Sequence, residues 1–555
     1  MSDFFQDPPR LGNQYDDDAL LRAYLRWRLP ATMLAEIEPS LRRLGNRAAT
    51  DILALGEAAE SSPPVHVPYD AWGRRVDRIE TSDAWRKLDR ISATEGIVAT
   101  AYERKHGAHS RIDQFVRLYL FAPSSALYSC PLAMTDGAAR FLEVHGDESV
   151  RSVLAHLTSR DPNEFWTSGQ WMTERTGGSD VGTTSTVALC EEGDTYSLHG
   201  SKWFTSATTS QVAMTLARIE GAPPGSRGLS VFLIKLRDSN GNLRNIRIER
   251  LKDKLGTRAL PTAELVLEGT PAQLVGGEGD GVRKIATLFN ITRVYNAVAA
   301  VAGMRRAVAL ASDYARRRSA FGKPLIDHPL HVETLADMQL ELRAAFLLAF
   351  RVVELLGKDE CGDATEPESR LLRFLIPIAK LYTAKRAIAV ASETLEAFGG
   401  AGYLEDTGIP RLLRDAQVLA IWEGTTNILS LDALRAMERS DVLAEWAADV
   451  RRRVGDVNLD GLSSCTERTL SAVQRIERYA AGARNAGSEF QQAGARGFAF
   501  AIARTEAAAL LVEHANAQQD DGSVTAARRW CARDLAPLVE ADLLASRSIV
   551  ESESN

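Results

Sequence analysis

Between two helical patterns the chain carries "AIWEGTTNILSLDAL" (420–434), in which Glu423 is the only charge before Asp432 and is flanked by Trp422 and Gly424. A lone acid in such a place is either a solvated loop residue or a base. Abstracting a proton from a weak carbon acid requires a carboxylate fixed in a dry site. Gly424 permits a tight turn, and Thr425 or Thr426 can cap a helix beginning near Asn427. The apolar repeat Ile428, Leu431 and Leu434 then resumes at helical spacing. Glu423 is thus placed at the positive end of a helix. Other chemistries lack their residues. His106 and His109 have no clustered Cys, Asp or Glu beside them, so no metal site is expected. No GxSxG, no Walker motif and no GxGxxG after a strand occurs.

The surrounding chain separates into four regions by texture. Residues 1–162 read mostly as helices, with a Ser-Pro-Pro break at 62–64. In 163–275 short β-like runs appear: "DTYSLHGSKWF" alternates, "RGLSVFLIKL" is a compact buried-strand pattern, and "EGAPPGSRG" is a loop. Long helices return in 276–440, where Val294, Val298, Val301 and Val308 share one face, as do Leu335, Met338, Leu342, Phe346 and Ala349. The stretch 369–397 is also helical, with Pro377 expected to start or kink it, and it ends in "FGGAG". Residues 441–555 form a further helical segment rich in Ala and Arg. The fold expected is mainly α with a central β-domain: an N-terminal helical domain, a barrel-like middle domain, a helical bundle and an extra helical segment.

At 555 residues several domains are expected. A net charge of −7 argues against a dominant nucleic-acid surface. The five cysteines are far apart without CxxC, which suits reduced thiols. "MSDFFQDPPR" lacks the pattern of a signal peptide, and arginines interrupt each apolar run before membrane-spanning length. A cytoplasmic protein is expected.

Four segments act jointly: "WMTERTGGSDVG" (171–182), "GSKWFTSA" (200–207), "RRRSAFGKPL" (316–325) and "EAFGGAGYLEDTGIPRLLRDAQVLAIWEGTTNI" (396–428). In this order they resemble the signatures of the acyl-CoA dehydrogenase family of flavoproteins. "PYDAWGRRVDRI", "CPLAMT", "RLKDKLGTRA" and the extra C-terminal segment look like its AidB-type branch.

The resemblance implies FAD as cofactor and Glu423 as the base that removes the α-proton while the β-hydrogen leaves as hydride. It implies that Met172 and Thr173 meet the flavin edge, with Gly178 and Ser179 near the pyrophosphate. Trp203, Phe204 and Thr205 would pack on the ring and approach its N5. Arg318 and Phe321 would hold the adenine half from a neighbouring subunit, so a homo-dimer or homo-tetramer is expected. Glu396, Gly399 and Gly400 would lie at the pyrophosphate, and Ile421, Thr425 and Asn427 would touch FAD from the base loop. Arg293 resembles the arginine that engages coenzyme A, although a solvated helix-start cation is the alternative. Three positions depart from the family: Asn290 replaces an acid, and Pro329 and Glu396 each replace a glutamine.

Three functions follow. The first is α,β-dehydrogenation of an acyl-CoA, electrons passing to an electron-transfer flavoprotein or to oxygen. Glutamate at 423 weighs against the related nitroalkane oxidases, which use aspartate. The second is sequestration of a fatty-acyl ligand with little turnover. The third, DNA protection, is disfavoured: residues 441–555 hold 13 arginines and no lysines against 17 acids, a net charge of −4. "RRR" (451–453) and "ARRWCAR" (527–533) could still form a patch, though a solvated helix face is commoner.

Overall fold

A computed structural model describes residues 6–539 and 542–552 of the chain. The N-terminal part contains α1 (Ala19–Arg28), α2 (Ala31–Arg47), α3 (Asp51–Ser61), β1 (Val65–Tyr69), β2 (Arg75–Glu80), α4 (Asp83–Thr94), α5 (Ala99–Glu103), α6 (Ser110–Phe121), α7 (Ser129–His145) and α8 (Arg151–Leu157). The β1–β2 hairpin departs from the helical expectation. Asp70 builds its turn by accepting from the backbone N–H groups of Trp72 and Arg74, each at 2.9 Å. Buried Asp77 then fastens it to the next domain, accepting from Ile248 N at 3.1 Å.

That domain is a barrel. Its strands are β3 (Ser168–Trp171), β4 (Val187–Glu192), β5 (Thr195–Ser206), β6 (Val212–Ile219), β7 (Leu229–Lys235), β8 (Ile246–Leu251) and β9 (Thr262–Val275). Strands β6, β4, β5, β9 and β7 pair in turn, and β7 pairs back onto β6 to close the ring. Closure leaves few open edges. β3 runs parallel to β6 with Ser168 opposite Val212, and so delivers Gln170 and Met172 to the rim.

The bundle consists of α9 (Gly281–Arg317), a short hairpin β10 (Ser319–Ala320) and β11 (Lys323–Pro324), then α10 (Pro329–Cys361), α11 (Glu366–Ala397), α12 (Ile409–Leu419) and α13 (Thr426–Glu438). The valine face of α9 and the Leu335-to-Ala349 face of α10 are buried as their spacing predicts. Pro377 does not start a helix. α11 begins at a Thr365–Glu368 capping box and runs through Pro377, whose lost hydrogen bond is offset by complete burial of the surrounding turns. Helix α9 is also apolar and long enough to cross a membrane, contrary to expectation, yet 72% of its apolar window is buried inside the protein.

The segment beyond 440 adds α14 (Val442–Gly455), α15 (Ser463–Ala486), α16 (Ser488–Gln518), α17 (Asp521–Cys531) and α18 (Leu543–Ser552). Its Trp446 and Leu510 belong to the same apolar core as Leu25 and Phe346. The extra helices therefore extend the bundle's core.

Candidate active site

Glu423 lies in the turn between α12 and α13 with φ of 57°, and Gly424 follows at 103°. A left-handed non-glycine residue costs roughly 1–2 kcal/mol, so neighbours must hold it. Two cations do, one buried and one half-buried. Lys380 Nζ, on α11, donates to Trp422 O and Gly424 O, both at 2.7 Å. Arg293 Nε, on α9, donates to Glu423 O at 3.2 Å, while its Nη2 pairs with Asp432 on α13 at 2.9 Å. Three consecutive carbonyls are thus turned towards two side chains. The carboxylate itself accepts from Thr292 Oγ1 at 2.5 Å, with Gln170 Nε2 at 3.5 Å from both oxygens. Burial pushes the Lys380 ammonium down to about 7, opposed by the charge of Glu423 and helped by Arg293. Buried Cys130 also senses Glu423: burial pushes its thiol up to about 12, and the carboxylate adds to the rise.

Several expectations change here. Helix α13 begins at Thr426; Thr425 takes the cap position, but its side chain makes no capping bond. Arg293 is not a solvated helix-start cation, because it sits within α9 and clamps the base loop.

The two β-domain motifs are tied together by an ion pair. Lys202 Nζ meets Glu174 Oε1 at 2.8 Å, both residues being fully buried. Burial alone would push the Glu174 carboxyl up, but Lys202 and the hydroxyls of Thr186 and Ser185 hold it down to about 2. Two of the motif letters are therefore structural. Trp203 N donates to Thr173 O at 2.9 Å, and a side chain at Gly178 would strike Thr173 Oγ1 at 2.6 Å.

The phase of β5 sets how its expected flavin contacts are presented. Thr205 is fully buried with its hydroxyl donating to Ala263 O at 2.7 Å, and the Trp203 ring carries Lys252 Nζ 3.5 Å from its centroid. Phe204 leaves 54% of its surface exposed, with the same Lys252 Nζ 4.7 Å from its ring centroid, and is the more open of the two aromatics. The register shift between Lys202 and Thr205 hides this phase from simple alternation.

Met172 is buried at the rim and Ser179 is exposed. Tyr314 stacks on Phe398 at 4.3 Å, which brings the hairpin after Arg318 beside Gly399 and Gly400. Phe321 occupies the hairpin tip with φ of 50° and is 98% exposed. A Cβ at Gly399 or Gly400 would meet nothing within 4 Å, so open space adjoins both. Glu396, Ile421, Thr425 and Asn427 are all exposed. Gln170 Oε1 is buried without a hydrogen-bond partner beside Glu423. An orphaned acceptor near the base, an exposed aromatic on the rim and a glycine cradle fit a large, flat, phosphate-bearing cofactor.

Sequence reasoning missed Thr292, Gln170 and Lys380. The signal for Lys380 was a single cation inside the apolar run "LIPIAKLYTA", since a lysine at such a position must find partners. Elsewhere, a cavity of about 550 Å³ opens where α13 meets the extra helices, lined by Met437, Arg439, Tyr479 and Arg484. The base loop does not line it. The arginines of the supposed phosphate patch are largely spoken for: Arg451, Arg452 and Arg453 pair with Glu477, Asp449 and Glu513, and Arg529 and Arg533 pair with acids of α10.

Residues 169–270 match the acyl-CoA dehydrogenase middle domain and 279–438 its C-terminal domain. Residues 7–162 match the N-terminal domain of adaptive response protein AidB, and 441–554 the acyl-CoA dehydrogenase 11 C-terminal domain-like family. Acyl-CoA dehydrogenase family member 11 of Caenorhabditis elegans is 43% identical over 557 residues, 97% of this chain and 90% of the relative. The putative acyl-CoA dehydrogenase AidB of Escherichia coli is 34% identical over 425 residues, covering 74% and 77%. Among solved structures, C. elegans ACDH-11 in complex with C11-CoA superposes with a TM-score of 0.96 at 41% identity, covering 99% of this chain and 97% of that one. The apo form of Bd2924 gives 0.87 at 51%, covering 92% and 100%.

Proposed function

The chain belongs to the acyl-CoA dehydrogenase family, FAD-dependent oxidoreductases acting on CH–CH bonds, and from that premise we propose that it desaturates an acyl-CoA at its α,β-bond with Glu423 as the base. The observation that carries this reading is the clamp. A carboxylate in a strained turn, fixed through three carbonyls by Lys380 and Arg293, is positioned rather than merely exposed. Such fixing is what proton abstraction from carbon requires. Thr292 holds one carboxylate oxygen and leaves the other to face the α-carbon.

Met172, Thr173 and Phe204 would hold the flavin, and Gly178, Ser179, Gly399 and Gly400 the pyrophosphate. Glu396, Ile421, Thr425 and Asn427 would line its path. When bound there, FAD supplies the acceptor for the β-hydrogen. Arg318 and Phe321 would serve a second copy of the chain, which gives the 98% exposed Phe321 ring a place to bury. Electrons would leave to an electron-transfer flavoprotein or to oxygen, in the cytoplasm. Acyl-CoA is the ligand class, as bound by the C. elegans relative.

The test is anaerobic titration of the flavoprotein with saturated acyl-CoAs of graded length. Bleaching of the flavin is expected. Glu423→Gln should keep FAD and lose roughly 10²–10⁴ in the reduction rate. A wild-type rate in that variant removes Glu423 from the role, and a protein that shifts its spectrum without ever bleaching is a sequestering protein instead.

A further inference from the structure

Behind the base loop lies a cavity of about 70 Å³ between α9, α11 and α12. Asn296 ties α9 to the approach of the base loop: its amide donates to Leu419 O at 3.1 Å and its carbonyl accepts from the Trp422 indole. Beyond it the walls are small and apolar, with Ala299, Gly303, Ala387, Ala391, Leu412 and Leu419 among them. A methyl placed on Gly303 would meet nothing within 4 Å. The far end is different. Arg306, Arg411 and Asp415 line the same space.

The charges there do not cancel. Asp415 accepts from Thr257 N at 2.7 Å and faces Arg411 at 4.0 Å. Arg306 is 3% exposed and reaches only neutral oxygens, Ser124 Oγ at 2.6 Å and Ala48 O at 3.4 Å. Its Nε has no partner, and among the described residues it forms no ion pair. Burial, with Arg411 and Arg305 adding and the charge of Glu57 opposing, pushes this guanidinium down to about 9. A buried cation without a direct ion pair is costly, and an anion from outside the chain would relieve it.

We propose that this cavity receives the far end of the acyl chain and that Arg306 selects chains ending in a carboxylate, so that the substrate class is a long ω-carboxyacyl-CoA. The proposal rests on the acyl-CoA reading of the Glu423 site. Length follows from α9. Ala299 and Arg306 lie about 10 and 21 Å along the helix from Thr292, which touches the base. With C–C bonds of about 1.5 Å, an extended chain advances roughly 1.3 Å per carbon. About eight carbons therefore reach the cavity and about sixteen reach Arg306. Asn296 and Trp422 would swing aside as the chain passes.

The experiment uses the FAD-loaded protein and three probes: butyryl-CoA, palmitoyl-CoA and the mono-CoA thioester of hexadecanedioic acid. Binding is read by calorimetry and flavin reduction separately. The ω-carboxy probe should bind at least tenfold more tightly than palmitoyl-CoA, and Arg306→Met should abolish that preference. Gly303→Leu fills the cavity without touching the arginine. It should weaken both long probes at least tenfold and spare butyryl-CoA, which keeps the test open if the arginine variant fails to fold. Equal or weaker binding of the ω-carboxy probe by the natural protein overturns the selection, and equal weakening of all three probes by Gly303→Leu overturns the cavity's role. A preference in binding without any bleaching would sink the dehydrogenase reading while upholding the site.

Discussion

Lys202 in the barrel and Lys380 in the bundle are both out of solvent, yet the first faces a carboxylate and the second only carbonyl oxygens. Lys202 joins Glu174, which is also held by Ser185 and Thr186, and donates to Leu216 O as well. Every group in that knot has a partner, and it fastens the segment after β3 to β5. Lys380 instead grips the two peptide carbonyls on either side of Glu423. Its charge is balanced only at a distance, by the base itself. The comparison separates two uses of a buried cation. One fastens a scaffold, while the other restrains a turn and leaves its carboxylate chemically free.

The sharpest break is at the scaffold. Glu174→Gln strands a buried ammonium, a change that costs about 3–5 kcal/mol. Denaturant unfolding should show a loss of that size. The pH sign follows from the depressed carboxyl. A group held at about 2 in the folded state, against an ordinary value of 4.5, lends stability that is present above 4.5. That stability drains as pH falls from there through 2, because the unfolded chain binds the proton first. The wild type should show this acid limb and Glu174→Gln a shallower one, because Glu368 and Asp449 are also held down to about 2. An unchanged limb would mean that the knot adds nothing.

Breaking the clamp should hurt chemistry more than folding. Lys380→Met leaves the Trp422 and Gly424 carbonyls without their donor, so the turn should lose its fixed geometry. Flavin reduction should slow by roughly 10–100-fold, as misplacement of a catalytic group allows, with the affinity for acyl-CoA changing much less. Lys380→Arg should restore part of the rate. A second readout separates this lysine from a packing residue. Its folded-state value of about 7 lies below the ordinary 10.5, so between those values the unfolded chain holds a proton that the folded chain has given up. Wild-type stability should therefore gain, from this group, up to about 1.4 kcal/mol per pH unit across that window. Lys380→Met should remove that gain.

The same contrast explains what could be read beforehand. Helix faces such as Val294 to Val308, and the strand at "RGLSVFLIKL", announce themselves because burial follows a local period. Glu423 announced itself as an isolated charge beside a glycine. Its partners did not: Thr292 and Gln170 come from 131 and 253 residues away in sequence, and Lys380 reaches the neighbouring Trp422 from 42; no local pattern encodes such meetings. The burial of Thr205 was hidden for a subtler reason. One shifted register in β5 exchanges the faces of Phe204 and Thr205. The β1–β2 hairpin escaped notice because its strands are short and its anchor, Asp77, works through Ile248 of another domain.

The finest break is Thr292→Val, which keeps the shape of the side chain and deletes the single short hydrogen bond to the Glu423 carboxylate. Because Lys380 and Arg293 act on the backbone, the turn should stay in place; the carboxylate should only gain freedom to rotate about it. Gln170, at 3.5 Å from both oxygens, is too distant to replace the hydroxyl. A hydrogen bond to a charged group is worth about 1.5–3 kcal/mol, of which only the part that orients the base bears on the rate. Flavin reduction should fall about 3–10-fold, corresponding to roughly 0.7–1.4 kcal/mol, with unfolding little changed and Thr292→Ser close to wild type. A loss as large as that of Lys380→Met would place the burden of positioning on the carboxylate's own bond and demote the clamp to a structural role.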